Sequence, residues 1–166
     1  NIALSISSVY FQNVFIPIVF IGLVQFVGTF ILAYGTKNAA KFEKRFGEKR
    51  SFFSLLQFVM ISNLTMALVF PFIGIIFYFL VPLSAGISRI LINNAMHEHV
   101  NETHRATMLS VRNLFAELAV FVIFPLVGII QSINFSLGFI FIFVVMLLFA
   151  LIAQRYGAKH KVGFKV

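Results

Sequence analysis

Apolar positions along this chain fall in long runs, each roughly 18 to 26 residues, separated by short polar stretches. About 20 residues at 1.5 Å rise cross the hydrocarbon core of a bilayer, so each run predicts a transmembrane helix. The predicted spans are 14–35, 52–70, 71–93, 107–131 and 135–153. Residues 1–13 are mildly polar and are expected to end a preceding span and form an outer loop. Pro17 stands near the start of the first span, where a missing N–H costs little. Pro71 follows the second span almost directly, predicting a tight helical hairpin, and Ser132 to Asn134 predict another short turn. Pro82 and Gly86 mark the expected kink in the third span, and Pro125 lies in the outer half of the fourth. The fifth span has no charged residue, which predicts a lipid-facing helix. The fold class is therefore all-α, an integral membrane bundle of about five helices.

Polar stretches orient this bundle. The densest is 41–50, Lys-Phe-Glu-Lys-Arg-Phe-Gly-Glu-Lys-Arg, within a basic loop expected over 36–51. The second is the polar loop 94–105, and the third is the tail 154–166. Lys37, Lys41, Lys44, Arg45, Lys49 and Arg50 sit in the first, and Arg155, Lys159, Lys161 and Lys165 in the tail. Arg105, flanked by Arg89 and Arg112, completes the thirteen Lys and Arg residues, and the two short turns hold none. Juxtamembrane Lys and Arg stay in the cytoplasm, so both polar loops and the C-terminus are expected inside a plasma (inner) membrane.

Composition agrees with a membrane setting. The chain is 60% hydrophobic and 11% charged, with 23 Phe, and a mean hydropathy of +1.00; soluble domains carry about 25% charge. The net charge of +8 would suggest nucleic acid in a soluble protein. With the basic residues at membrane edges, anionic lipid headgroups are the expected partner instead. The absence of Cys excludes disulfides and thiolate metal sites. No Walker A, Gly-x-Ser-x-Gly or Gly-x-Gly-x-x-Gly pattern occurs, so no nucleotide or other cofactor is implied.

Arg45-Phe46-Gly47-Glu48-Lys49-Arg50 resembles the loop signature of the major facilitator superfamily: a basic residue, any residue, glycine, any residue, then two basic residues. Lys44 stands where that family has Asp, and Ala40 where it has Gly, a decay similar to the second copy of the signature, between helices eight and nine. Glu98 and Arg105, with six residues between them, and Arg105-Ala106-Thr107-Met108-Leu109-Ser110 with Asn113 are similar to the family's passage from its tenth to its eleventh helix. The resemblance implies helices eight to twelve of a twelve-helix transporter. The missing N-terminal half would then be an obligatory partner. It further implies alternating-access transport of a small molecule, of the drug or metabolite carrier type, rather than enzymatic chemistry.

Glu117 is the leading candidate for a substrate or proton site. It lies ten residues beyond Thr107, about 15 Å into the span, where a charge costs about 2.5–3.5 kcal/mol unless it faces a cavity, pairs or is protonated. Arg89 is the expected ion-pair partner, since Arg112 is poorly spaced along the same helix. Gln25, Tyr78, Ser84, Ser88 and Asn113 are further cavity-lining candidates, with inter-helix hydrogen bonding as the competing role. Gln57, Asn63 and Thr65 read as packing contacts. Arg45, Gly47, Lys49, Arg50, Glu98 and Arg105 are candidates for a cytoplasmic gate, with topology signal and exposed ion pair as alternatives. His97, His99 and His104 with Glu98 and Glu102 match no zinc signature and are expected to form a solvated polar loop. The rival readings are a membrane-embedded enzyme using that His/Glu loop as a metal site, and a non-transporting membrane scaffold.

Overall fold

The computed structural model describes residues 10–11, 17–68, 71–99 and 102–160. Among the described residues from Ile18 onward, six helices follow in order: α1 (Ile18–Phe46), α2 (Glu48–Ala67), α3 (Pro71–Tyr78), α4 (Leu80–His99), α5 (Glu102–Ile133) and α6 (Phe135–His160). Among the described residues, four stretches are long and apolar enough to cross a membrane: Val19–Phe46, Ile73–Met96, Ala106–Ile133 and Phe135–Arg155. The second of these joins α3 and α4. The expected span 52–70 is occupied by α2, which is helical over 20 residues but more polar than the other four. It packs against α1, α3, α4 and α6 and buries Ser51, Ser62 and Asn63. On faces packed against neighbouring helices, a helix can carry polar groups that lipid would penalise.

The basic stretch is helical, not a loop. α1 runs 29 residues, straight through Lys41, Lys44 and Arg45, and only Gly47 separates it from α2. Charge placed these residues in water without dictating an irregular backbone, since Lys, Glu, Arg and Ala are good helix formers. Gly47 has φ 76° and ψ 157°, a region essentially restricted to glycine. Its N–H donates to the Glu43 carbonyl and its own carbonyl accepts from Ser51 N–H. Lys44 and Arg45 lie in the last turn of α1 and Glu48 in the first turn of α2, each sign matched to its helix end. The polar stretch 94–105 likewise extends α4 to His99 and begins α5 at Glu102.

The third span breaks at Phe79, earlier than the expected Pro82–Gly86 position. Proline has no N–H for the carbonyl four residues back and its ring crowds that carbonyl; for Pro82 that residue is Tyr78, the last of α3. Phe79 N–H turns to Ile76 O at 3.3 Å instead. Gly86 does not kink the helix. A Cβ there would collide with the Leu32 carbonyl oxygen of α1, and one at Gly35 would lie 2.7 Å from the Leu83 carbonyl oxygen. These two glycines let the backbones of α1 and α4 touch, and Thr36 Oγ1 reaches Gly86 O at 3.4 Å. α5 passes through Pro125 without a break. Asn134 alone separates α5 from α6, its Oδ1 accepting from Ser136 N–H at 3.0 Å as a cap.

Two apolar clusters mark the two ends of the bundle. Ala39, Leu55, Ile87 and Leu91, with Phe42 and Phe52 against them, lie at the end bearing the basic stretch. Tyr10, Phe11, Met66, Tyr78, Val127, Phe139 and Ile142 form the other, beside the turn at Asn134. α6 is not purely lipid-facing: Phe139, Ile142 and Ala150 are buried, and its main neighbours are α2 and α5. Packing in a membrane needs shape rather than polarity, so an all-apolar helix can still pack inside a bundle.

Candidate functional site

Gln25 and Tyr78 converge. Tyr78 closes α3 just before the break, and its hydroxyl donates to Gln25 Oε1 of α1 at 3.1 Å across 53 positions of sequence. The Tyr78 ring is fully buried, edge-on to Phe11 at 5.1 Å and tilted against Phe79 at 5.4 Å. Gly28, one turn beyond Gln25, makes room: a Cβ there would stand 3.3 Å from the Tyr78 hydroxyl. A polar contact thus ties α1 to the break in the third span.

Ser84 and Ser88 project from α4 one turn apart into a groove lined also by Phe52, Leu55 and Val59 of α2. At 100° per residue, this face of α4 lies nearly opposite the one formed by Leu83, Gly86, Ile87 and Ile90 against α1. Ser88 Oγ donates to Ala85 O at 3.2 Å. The candidates therefore divide: Gln25 and Tyr78 join α1 to α3, whereas Ser84 and Ser88 face α2 from α4.

Glu117 and Asn113 share one face of α5, and both are exposed. Glu117 occupies a shallow recess whose walls, Leu114, Leu118, Val120 and Phe121, all belong to its own helix. Arg89 is exposed on α4, and among the described residues it does not pair with Glu117. The expected ion pair is absent there because α4 and α5 scarcely touch. What joins them is Arg112, whose Nη1 donates to Asn93 Oδ1 at 3.3 Å. α5 buries only 6% of its span, the least of the four, against 39% for the span through α3 and α4.

At the basic end, Arg45 and Arg50 are exposed, with the Arg45 guanidinium 5.8 Å from the Phe46 ring centre. The side chains of Lys49, Glu98 and Arg105 lie outside the described residues, as do those of His97, His99 and Glu102. Among the described residues no three His, Cys, Asp or Glu gather as metal ligands. Asn63 Nδ2 donates to Val59 O at 2.8 Å and Thr65 Oγ1 to Ser62 O at 2.9 Å, so both serve their own helix, while Gln57 is exposed.

Sequence reasoning passed over Gly28 and Gly35, which set how closely α1 approaches its neighbour. Their signal was present: small residues seven apart in an apolar span lie on one helix face. No protein-family model, curated protein or solved structure matches the chain.

Proposed function

We propose that this chain forms part of one helical bundle of a secondary transporter of the major facilitator kind, carrying a small molecule by alternating access with Glu117 as the proton site. The observation that carries the reading is the position of Glu117. It stands 11 residues from one end and 16 from the other of the span Ala106–Ile133, exposed, with apolar neighbours from its own helix only. Lipid there would penalise a carboxylate by about 2.5–3.5 kcal/mol. A second bundle facing α5 across a polar cavity removes that penalty and leaves what proton coupling requires, a titratable group at the midplane between two halves. The resemblance around Arg45–Arg50 and Arg105–Ser110 points the same way. In this reading the basic end is cytoplasmic and rests on anionic headgroups.

The test uses the full-length protein in cells, screened against a panel of drugs and metabolites for movement that a protonophore collapses. Expected is at least one compound moved by wild type in a gradient-dependent manner and not by Glu117→Gln. No difference between expressing and empty cells across the panel counts against the transporter. Gradient-driven movement at wild-type level by Glu117→Gln removes the proton role.

A further inference from the structure

The groove between α2 and α4 has features that ordinary helix packing leaves unexplained. Its volume is about 280 Å³, and Phe52, Leu55 and Val59 on one wall with Val81 and Ile92 on the other make it mainly apolar. The polar side chains in its lining are Ser84 and Ser88. A serine inside a helix ordinarily satisfies its hydroxyl on a carbonyl three or four residues back. Ser88 does so through Ala85 O, as Ser132 does through Ile129 O. Ser84 differs: it is 2% exposed, and its Oγ, like those of Ser51 and Ser62, has no hydrogen-bond partner among the described residues; of these three, only Ser84 lines the groove. It lies on the groove wall, 11 residues from one end and 12 from the other of the span Ile73–Met96, at about the bilayer midplane.

The geometry points to a binding site for a small, uncharged, mainly apolar molecule that enters from the bilayer and places one hydrogen-bond acceptor on the Ser84 hydroxyl. Charge is excluded because the lining offers no ionic partner, and an unpaired ion at that depth is penalised. Size follows from volume: an apolar cavity of about 150 Å³ holds benzene, so this one suits a molecule of roughly eight to ten carbons. A saturated lipid chain fits the apolar walls and leaves Ser84 unmet. A molecule with one hydroxyl, ether or carbonyl meets both. The inference does not depend on Glu117 or on transport, because groove and carboxylate lie on different helices.

A diazirine-bearing octanol, photolysed with the full-length protein in lipid nanodiscs, tests this directly. Expected are adducts on the α2 and α4 residues of the groove, competed by excess 1-octanol and far less by octane at the same membrane fraction. Ser84→Ala removes the hydroxyl while keeping the cavity, and lowers groove labelling about three- to tenfold, the equilibrium value of one neutral hydrogen bond. Ala85→Phe fills the groove and abolishes labelling there. The competition arm uses wild type and so stands whether or not a variant folds. Adducts spread evenly over the outer faces of α5 and α6 overturn the site. So do octane competing as well as octanol, unchanged labelling of Ser84→Ala, or exclusion of the probe by a phospholipid chain or another protein segment.

Discussion

Glu117 concentrates the functional question in one side chain. Arg89 does not pair with it among the described residues, so Glu117→Gln leaves no cation stranded. Glutamine keeps the shape and most of the hydrogen bonding and cannot ionise. The expected outcome in the full-length protein is normal abundance, loss of gradient-driven accumulation and retention of downhill exchange, read by isotope uptake with and without a gradient. Adding Arg89→Gln is expected to change none of the three; recovery of accumulation in the double variant would reinstate the pair. Glycines give a second prediction at this scale. Gly86→Ala places a Cβ against the Leu32 carbonyl, backbone that cannot step aside, whereas Gly22 has nothing within 4 Å. Overpacking of that kind costs about 1–3 kcal/mol. Thermal unfolding in detergent should show a clear loss for Gly86→Ala and little change for Gly22→Ala.

Helices in this chain are set by different kinds of information, and they were legible to different degrees. Spans could be read because a bilayer demands about 20 apolar residues whatever the packing, and the turn at Asn134 because its neighbours stop the apolar run. The break at Phe79 was displaced from its expected place because proline acts on the carbonyl one turn earlier. The basic stretch became helix because solvent exposure and backbone shape are separate properties. Pairing of Gln25 with Tyr78, or the missing partner of Ser84, depends on which helix faces are brought together, which the order of residues along one helix does not contain. Gly47 is the element-scale test of the basic stretch. Its φ of 76° and ψ of 157° exclude L side chains at a cost of about 1–3 kcal/mol, while the space around it is open. Gly47→Ala is therefore expected to carry most of the stability loss that Gly47→Val shows, and Gly47→Asn to give no rescue, because asparagine favours ψ near +47° instead. Thermal unfolding of the three variants checks this. A near-native Gly47→Ala beside a damaged Gly47→Val would assign the effect to crowding instead.

Across the whole molecule, charge and packing agree about which ends belong together. The cluster around Ala39, Leu55, Ile87 and Leu91 joins the latter part of α1, the start of α2 and the middle of α4, so the basic stretch lies at the end to which α4 carries its polar C-terminus. α6 starts beside the opposite cluster at Phe135 and Phe139 and runs 26 residues, about 39 Å, so Lys159 falls at the basic end as well. Asn134 caps the other end. Retention of Lys and Arg on the cytoplasmic side is expected to set the direction of the whole bundle. The chain has no Cys, which makes single introduced thiols clean reporters within it. With other cysteines in the full-length protein removed, thiols at Glu48, Glu102 and Lys159 are expected to resist an impermeant reagent in intact cells and to react after permeabilisation. A thiol at Asn134 is expected to react in intact cells. The comparison within one bundle separates two errors: if all four patterns invert together, the helices are right and the bundle is upside down. If Glu102 and Asn134 react from the same side, α5 does not cross, and the midplane position assigned to Glu117 falls with it.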